Sequence, residues 1–474
     1  MNLSFLHSIF KKDNKSLSTP DSIVIKQLKE VSHSNSFSLF NDVTIYHHSN
    51  SYHIALMLLD ESRGLYVFEK KEWSYDDLKD ATIEKAQNQD SSNKTLSFQN
   101  TNNLINQKLN ELTHHNIIPT FNYLLMENLN NQQYSHLNDS FKELLPKDRV
   151  IFNDSSKEEI LQKLQDCKAS SLKLPSKNNI IGNLLIQYTI IDESNDLQIC
   201  TQEQMDFLDD KTLGHEVLDA TPRSGKTNTI LLKSILYILN NKDKKVIIIK
   251  PTQLACDILK KKLLDVVERA IIEFDFTKIS ILTPTELKND KLNIADFIIC
   301  DDSDLYEDSF LNILTKMQRK KSLLFVNKKV IDAKYRFTKS FIPADRNIIF
   351  YKSNPHAKTL LTISKLLLEE KAQSILIVGN SVTRKRLFDD LEHFIKEDTL
   401  LVDGSKNLIN QSLDSVLLAS YEETIELNTE YLILLDVCFS NLTKLEHAIS
   451  RATKSIYIIY DEECNNINEL RIKN

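Results

Sequence analysis

Ala220-Thr-Pro-Arg-Ser-Gly-Lys-Thr227 follows a short apolar run, Val217-Leu218, and precedes a helical pattern. The spacing is that of G-x-x-x-x-G-K-[ST]. In such a loop the backbone N–H groups cradle phosphates, the lysine reaches the β/γ oxygens and the hydroxyl holds Mg²⁺. Here the lysine and hydroxyl roles fall to Lys226 and Thr227, and the cradle is Ala220, Thr221, Pro222, Arg223, Ser224 and Gly225. The implied cofactors are ATP and Mg²⁺. Ala220 stands where the first glycine is usual, a change the backbone tolerates if φ stays below zero. The chain has only 6 glycines in 474 residues, so a Gly-Lys-Thr between strand and helix is poorly explained as an accidental surface loop.

The length predicts about three domains at the usual ~150 residues each. A hydrophobic fraction of 41% and a charged fraction of 26% are ordinary for a soluble globular protein. No stretch approaches the ~20 apolar residues of a membrane span. The Phe5 to Phe10 patch before Lys11-Lys12 is too short for a secretory signal and lacks a small-residue cleavage site. A cytoplasmic location without membrane partners is therefore expected. Cys167, Cys200, Cys256, Cys300, Cys438 and Cys464 are scattered without a C-x-x-C pair, which predicts neither a disulfide scaffold nor a zinc cluster. Cys300 and Cys438 lie beside apolar strand runs and are expected in the core. The net charge of −7 leaves no global footprint for nucleic acid. Any such binding must use local basic runs at Lys260 to Lys262, Arg319 to Lys321 and Lys328-Lys329, which can equally be solvated faces.

From about residue 215 onward, short β-branched runs alternate with helical patterns, the signature of parallel sheets covered by helices. Strands are predicted at 245–250, 280–282, 297–300, 322–326 and 347–351, then at 374–378, 400–402, 415–418, 431–435 and 455–460. Val246-Ile-Ile-Ile249 and Tyr431-Leu-Ile-Leu-Leu435 are apolar throughout, as strands buried on both faces should be. So many strands with one P-loop predict two similar sheets in tandem, dividing near residue 345. The first 130 residues predict a separate α/β unit. It has a helix over 21–31, strands at 43–46, 54–59 and 65–69, helices at 75–85 and 104–114, and a polar loop over 88–103. A helix at 157–167 lies in a segment expected to be a connector.

A strand ending in carboxylates should accompany the P-loop, to serve the metal's water shell and the attacking water. Phe297-Ile-Ile-Cys-Asp-Asp-Ser-Asp304 supplies Asp301 and Asp302, and Arg451 in His447-Ala-Ile-Ser-Arg-Ala452 is placed to act as an arginine finger. Gln204, in Thr201-Gln-Glu-Gln-Met205, precedes the loop. This constellation resembles superfamily 1 helicases of the UvrD/Rep type over roughly residues 200–474. The resemblance implies that Gln204 reads adenine, that Asp301 and Thr227 serve the metal, and that Asp302 takes the place of the catalytic glutamate. Phe350-Tyr-Lys-Ser353 matches the family's N-Y-R-S motif, with Lys352 for its arginine. Ser450-Arg-Ala452 matches T-R-A and makes Arg451 the finger. The departures are Asp302 for glutamate, Asp304 for glutamine, Asn327-Lys-Lys-Val330 without the glutamine of G-D-x-x-Q, and Ile425-Glu-Leu-Asn428 at K-G-L-E. They imply a reduced motor.

Residues 51–73 resemble a NERD (nuclease-related) domain, on Arg63-Gly64 and Phe68-Glu-Lys-Lys-Glu-Trp73. The resemblance covers about 18–130 and implies a restriction-endonuclease-like core. Such nucleases hold a divalent metal on two acids with a lysine beside the scissile phosphate. The degenerate site would comprise Asp21, Glu69, Lys71 and, from Asn103-Leu-Ile-Asn-Gln107, Gln107, but the metal-binding aspartate falls on Ala55. The bland alternative makes Glu69 and Lys71 polar strand-end residues.

The expected chain is thus an α/β protein with a tail at 1–17, a restriction-endonuclease-like domain at 18–135 and a connector at 136–195. Two RecA-like parallel-sheet domains at 196–345 and 346–474 follow. The resemblances imply an ATP-dependent helicase or translocase acting on nucleic acid, single-stranded DNA in particular, with an inactive nuclease-like module. Protein partners would belong to a DNA-processing or defence system. The alternatives are an ATP-gated DNA-binding scaffold with little turnover, and an active nuclease-helicase in which an acid such as Asp60 replaces the missing aspartate.

Overall fold

The computed structural model describes residues 22–473 except 49, 80–97, 110–117, 140–141, 143–145, 169, 171–172, 192–196, 211–213, 288–293, 317–321, 328–332, 341–345, 369–373, 396–399 and 404–414. Asp21 and the basic runs Arg319 to Lys321 and Lys328-Lys329 lie outside the described residues. The chain divides into two compact units, the first over Met1–Thr189 with Leu197–Ile199 and Arg269–Glu273, the second over the remainder.

In the first unit, helix α1 (Ile23–Ser34) precedes the strands β1 (Ser38–His47), β2 (Asn50–Asp60) and β3 (Gly64–Ser74), with α2 (Phe98–Leu109), β4 (Thr120–Asn128), β5 (Val150–Phe152) and α3 (Lys157–Gln165) after them. The strands stand in the order β1-β2-β3-β4-β5, antiparallel through β3 and parallel from β3 to β5. Gly64 makes the β2–β3 return possible, since it has φ +136° and a Cβ there would meet the Pro119 carbonyl oxygen at 2.2 Å. Val24, Leu28 and Val31 of α1 bury against Tyr66, Phe68, Tyr123 and Leu125 of the sheet, together with Ile160 and Leu164 of α3.

Two expectations fail in this unit. Residues 98–103, expected in a polar loop, begin α2, because Thr101, Leu104, Ile105, Lys108 and Leu109 share a buried helical stripe at i, i+3, i+4, i+7 and i+8. The stretch expected as a connector supplies β5, which extends the sheet, and α3, which covers it. Strand β4, between β3 and β5, was also unforeseen. Its Tyr-Leu-Leu-Met run is neither alternating nor β-branched, and a short apolar run of that kind reads equally as helix.

The second unit holds two six-stranded sheets, parallel throughout. The first contains β6 (His215–Ala220), β7 (Val246–Ile249), β8 (Ile279–Leu282), β9 (Phe297–Cys300), β10 (Ser322–Val326) and β11 (Tyr335–Phe337), in the order β8-β7-β9-β10-β6-β11. The second contains β12 (Asn347–Lys352), β13 (Ser374–Val378), β14 (Leu400–Asp403), β15 (Ser415–Ala419), β16 (Thr429–Leu434) and β17 (Ala452–Tyr460), in the order β12-β17-β16-β13-β15-β14. Every residue of β7 and β9 is buried, as strands covered on both faces require. In the second sheet successive residues serve opposite cores. Leu376, Val378, Leu432 and Leu434 enter one cluster while Ile375, Ile377 and Ile433 enter the other. The expected two sheets in tandem are therefore present. Cys300 is in the core as expected, and Cys438 is half-buried at the edge of a core cluster. It forms a disulfide with Cys464 across a Cα–Cα distance of 5.8 Å, because the turn after β16 and the residue preceding the last helix approach one another.

Candidate functional site

The P-loop joins β6 to α5 (Lys226–Asn240). Gly225 takes φ +77°, where a Cβ would lie 2.7 Å from Ile190 Cδ1, so glycine is required there. Arg223 is also left-handed, at φ 57°, whereas Ala220 is not, which is why alanine suffices at the first position. Three braces hold the loop. Ala220 N donates to Asn327 Oδ1 at 3.0 Å, Thr221 N to the Phe337 carbonyl at 3.0 Å, and Gln204 Nε2 to the Ser224 carbonyl at 2.8 Å. Gln204 is fully buried, and its Oε1 accepts from Thr201 N at 2.8 Å in a capping box that starts α4 (Gln202–Asp209). The geometry thus makes Gln204 a support for the loop. Asn327 braces the loop's opposite end, in the segment where the resemblance leads one to expect a glutamine.

Beneath the loop lies a buried charge cluster. Asp301 and Asp302 follow β9, and Asp302 adopts φ 50° to turn the chain there. Lys226 Nζ donates to Asp302 Oδ1. Thr227 Oγ1 lies 3.2 Å from Asp301 Oδ2 and 2.8 Å from Glu426 Oε1. Lys250, which ends the aliphatic run of β7 and is 0% exposed, gives one 2.8 Å contact each to Asp301 Oδ2, Asp302 Oδ2 and Glu426 Oε1. Lys262 on α6 (Gln253–Arg269) reaches Glu426 Oε2 at 3.0 Å, so one member of the expected basic surface run is turned inward.

On Lys226, Lys250, Asp302 and Glu426 burial opposes charge, and the opposite charges outweigh it. Asp302 is held well below the usual carboxylate range by Lys226 and Lys250, and Glu426 likewise by Lys250 and Lys262. The Lys226 and Lys250 ammonium groups are held above the usual lysine value by the acids facing them. A carboxylate of such low basicity is a poor proton acceptor.

The second sheet's half of the unit supplies Glu426 and the segment around Arg451. Arg223 Nη1 donates to the Ser450 and Ala452 carbonyls at 3.3 Å each, tying the P-loop to the residues flanking Arg451. The positive charge of Arg451 also helps to lower the Glu426 pKa, and its Nε is a buried donor without an acceptor. His447 on α10 (Leu442–Ile449) meets Asp304 at 3.1 Å. α7 (Asp308–Lys316), α8 (Pro355–Leu368) and α9 (Ser381–Phe394) fill the chain order between α6 and α10. Lys352 is exposed at the end of β12 and is not part of the cluster. The structure therefore brings together Lys226, Thr227, Asp301, Asp302 and, in the same neighbourhood, Arg451. Sequence reasoning missed Lys250, Glu426 and Lys262. The available signals were a lysine after an all-aliphatic strand and a glutamate where the resemblance to K-G-L-E leads one to expect glycine; Glu426 has a left-handed φ of 66°.

The Mg²⁺ expected at Thr227 and Asp301 does not fit this arrangement. Mg²⁺ requires oxygens near ~2.1 Å in octahedral array. The oxygens of Asp301, Asp302 and Glu426 could converge on an ion, but their common focus is the Lys250 ammonium, whose three protons each have one carboxylate.

In the first unit, Glu69, Lys71 and Trp73 share one face of β3. Lys71 Nζ donates to Glu69 Oε1 and lies 4.9 Å from the Trp73 ring. Leu56 pairs with Phe68, so one step along the antiparallel register sets Ala55 opposite Glu69, with a methyl where the resemblance expects an acid. Gln107 is exposed on α2. Asp60 does not replace the missing acid. It lies at the far end of β2, ~17 Å along the strand from Ala55 at ~3.3 Å per residue, and caps the turn through Ser62 N at 2.8 Å and Arg63 Nη1 at 2.9 Å.

Fold and cluster together define a P-loop protein with two RecA-like parallel sheets. No family model matches the chain, and no characterised protein matches it by sequence. Among solved structures it is similar to the DEAD-box helicase Mss116 bound to ssRNA and UDP-BeF, at 14% identity over 64% of this chain and 74% of that one, with a TM-score of 0.46. It is similar to S. cerevisiae Dbp5 bound to RNA and ADP BeF3, at 14% identity over 63% and 90%, with a TM-score of 0.46. For the DUF1998 helicase MrfA bound to DNA the figures are 11% identity, 59% and 51%, and 0.44, so the chain spans about half of that protein's length. Among the described residues, no helix is long and apolar enough to cross a membrane.

Proposed function

We propose that the chain is an ATPase of the UvrD/Rep-like kind that couples ATP hydrolysis to movement on, or remodelling of, nucleic acid, with single-stranded DNA as its track. The observation that carries this reading is the convergence of both halves of the motor on one P-loop: Lys226 and Thr227 from α5, Asp301 and Asp302 after β9, and Glu426 with Arg451 from the second half. On this reading Lys226 exchanges Asp302 for the β/γ phosphates, which also meet the N-terminal amides of α5. Gln204 and Asn327 hold the loop's shape, Arg451 supplies charge as it develops in the transition state, and Lys352 stands at the entrance of the second domain. The motor domains are 196–345 and 346–474. The first unit is a NERD-like module that has lost cleavage with the acid at Ala55 but still carries Glu69, Lys71 and Gln107. Its partners would be nucleic acid and proteins of a DNA-processing or defence system.

A second reading, an ATP-gated scaffold with little turnover, is favoured by the low basicity of Asp302, which sits between two ammonium groups. Steady-state ATP turnover with and without single-stranded DNA separates the two. Turnover stimulated by DNA supports the motor. ATP binding with no turnover in either condition supports the scaffold, and absence of ATP binding overturns both.

A further inference from the structure

The charge cluster contains its own cation. Three buried carboxylates, Asp301, Asp302 and Glu426, face three lysines, Lys226, Lys250 and Lys262, with Arg451 adding positive charge towards Glu426, so the carboxylates are neutralised with no divalent ion. Lys226 and Lys262 are at its margin, while Lys250 is at the centre, with no exposed surface and all three ammonium protons directed at different carboxylates. Thr227 Oγ1, the hydroxyl that ordinarily serves a P-loop metal, contacts the same Asp301 Oδ2 and Glu426 Oε1 oxygens that Lys250 holds. A divalent ion bonded at ~2.1 Å to oxygens that lie 2.8 Å from the Lys250 ammonium would sit within ~5 Å of that ammonium, and like charges so close in a buried site repel strongly. The Lys250 side chain has no solvent to retreat into.

We infer that the Lys250 ammonium does the electrostatic work of the P-loop's divalent cation, so that this site binds nucleoside triphosphate without Mg²⁺. This rests on the proposal that the P-loop binds ATP. Lys250 neutralises Asp301 and Asp302, which would otherwise repel the phosphates, and leaves Lys226 free to engage them. Glu426 completes the arrangement from the second half of the motor, where a glycine at the same left-handed position would leave the third ammonium proton without an acceptor. No bond is made or broken. The inference concerns charge alone.

The test uses the full-length protein, with two binding measurements and no reliance on turnover. ATP affinity is measured by calorimetry in Mg²⁺ and in EDTA, and Mn²⁺ binding to the nucleotide-free protein is measured by the loss of the free-ion EPR signal. The expected result is an ATP affinity that changes by less than about threefold between the two buffers, and no stoichiometric Mn²⁺. Lys250→Met is expected to take up one Mn²⁺ and to bind ATP at least about tenfold more tightly with Mg²⁺ than in EDTA, a difference of ~1.4 kcal/mol. A wild-type affinity that falls more than about tenfold in EDTA overturns the inference, as does one tightly bound Mn²⁺ in the wild type or a folded Lys250→Met that remains indifferent to metal. If Lys250→Met does not fold, the wild-type measurements decide alone. If the wild type binds no ATP in either buffer, the nucleotide reading has failed, and the Mn²⁺ titration still decides whether Lys250 excludes a metal.

Discussion

Two charged sites of this molecule are built in opposite ways. At Glu69 and Lys71 one carboxylate meets one lysine beside Trp73, with the Ala55 methyl opposite in register. At the P-loop three carboxylates and three lysines are buried together, and Glu426 is answered by both Lys250 and Lys262. A pair at the end of a strand has a worth that is local. A buried cluster is a network in which each charge depends on the others.

That contrast is most severely tested at Lys226. Lys226→Ala should bring ATP binding below detection by calorimetry, because the phosphates lose their point charge while Asp302 loses a partner. Undiminished affinity would break the contrast at its root. Arg451→Ala should lower turnover by roughly 10³ or more while ATP affinity stays near normal, since a finger acts on transition-state charge. An unchanged rate would return Arg451 to a structural role.

Stability sharpens the comparison further. Lys250→Ala leaves three buried carboxylates facing one another and should cost about 3–5 kcal/mol in denaturant unfolding. Lys71→Ala removes one partner of Glu69, whose side chain is 27% exposed, and should cost about 1 kcal/mol or less. Equal costs would show that the two sites do not differ in kind. The pH dependence should differ as well. Asp302 and Glu426 have lowered pKa values, so their stabilisation is complete above the ordinary 3.8 and 4.5 and is lost as pH falls through the lower folded values. Lys250, with a raised pKa, loses its contribution only as pH rises above 10.5. Lys71 has a lowered pKa because burial outweighs Glu69, so its share of stability rises as pH climbs towards 10.5. Thermal melts of Lys250→Met and Lys71→Met against the wild type, in pH steps, check these opposite signs. The smallest expected effect is none: wild type and Glu69→Ala should both leave DNA uncut with Mg²⁺ or Mn²⁺. Metal-dependent cleavage that disappears in Glu69→Ala would show the first unit to be a working nuclease.

Legibility in the sequence followed the physics of each signal. The aliphatic strands 246–249 and 297–300 were readable because burial on both faces leaves no polar alternation, and the P-loop because a phosphate cradle admits few sequences. Strand Thr120–Asn128 was not readable, since its apolar run carries no period, and neither was the Cys438–Cys464 pair, which depends on tertiary approach across a whole strand and helix. Lys250 and Glu426 were visible only as oddities. A lone lysine after four aliphatics and a glutamate in a glycine's place acquire meaning when the fold sets them 2.8 Å apart.

Lys233, one residue of the helix that the P-loop starts, has a consequence of a different kind. Its ammonium donates to the carbonyls of Phe207, Leu208 and Asp210 at the end of α4, while Gln204 near the start of α4 grips the Ser224 carbonyl. Loop, helix, lysine, helix and glutamine form a closed circuit, so the loop's shape is fixed from behind. A cradle ordered in advance loses little conformational freedom when it closes on phosphate. Cutting the circuit at Lys233, about two turns along the helix from Lys226, should therefore appear as a larger entropic penalty of binding with its enthalpy little changed.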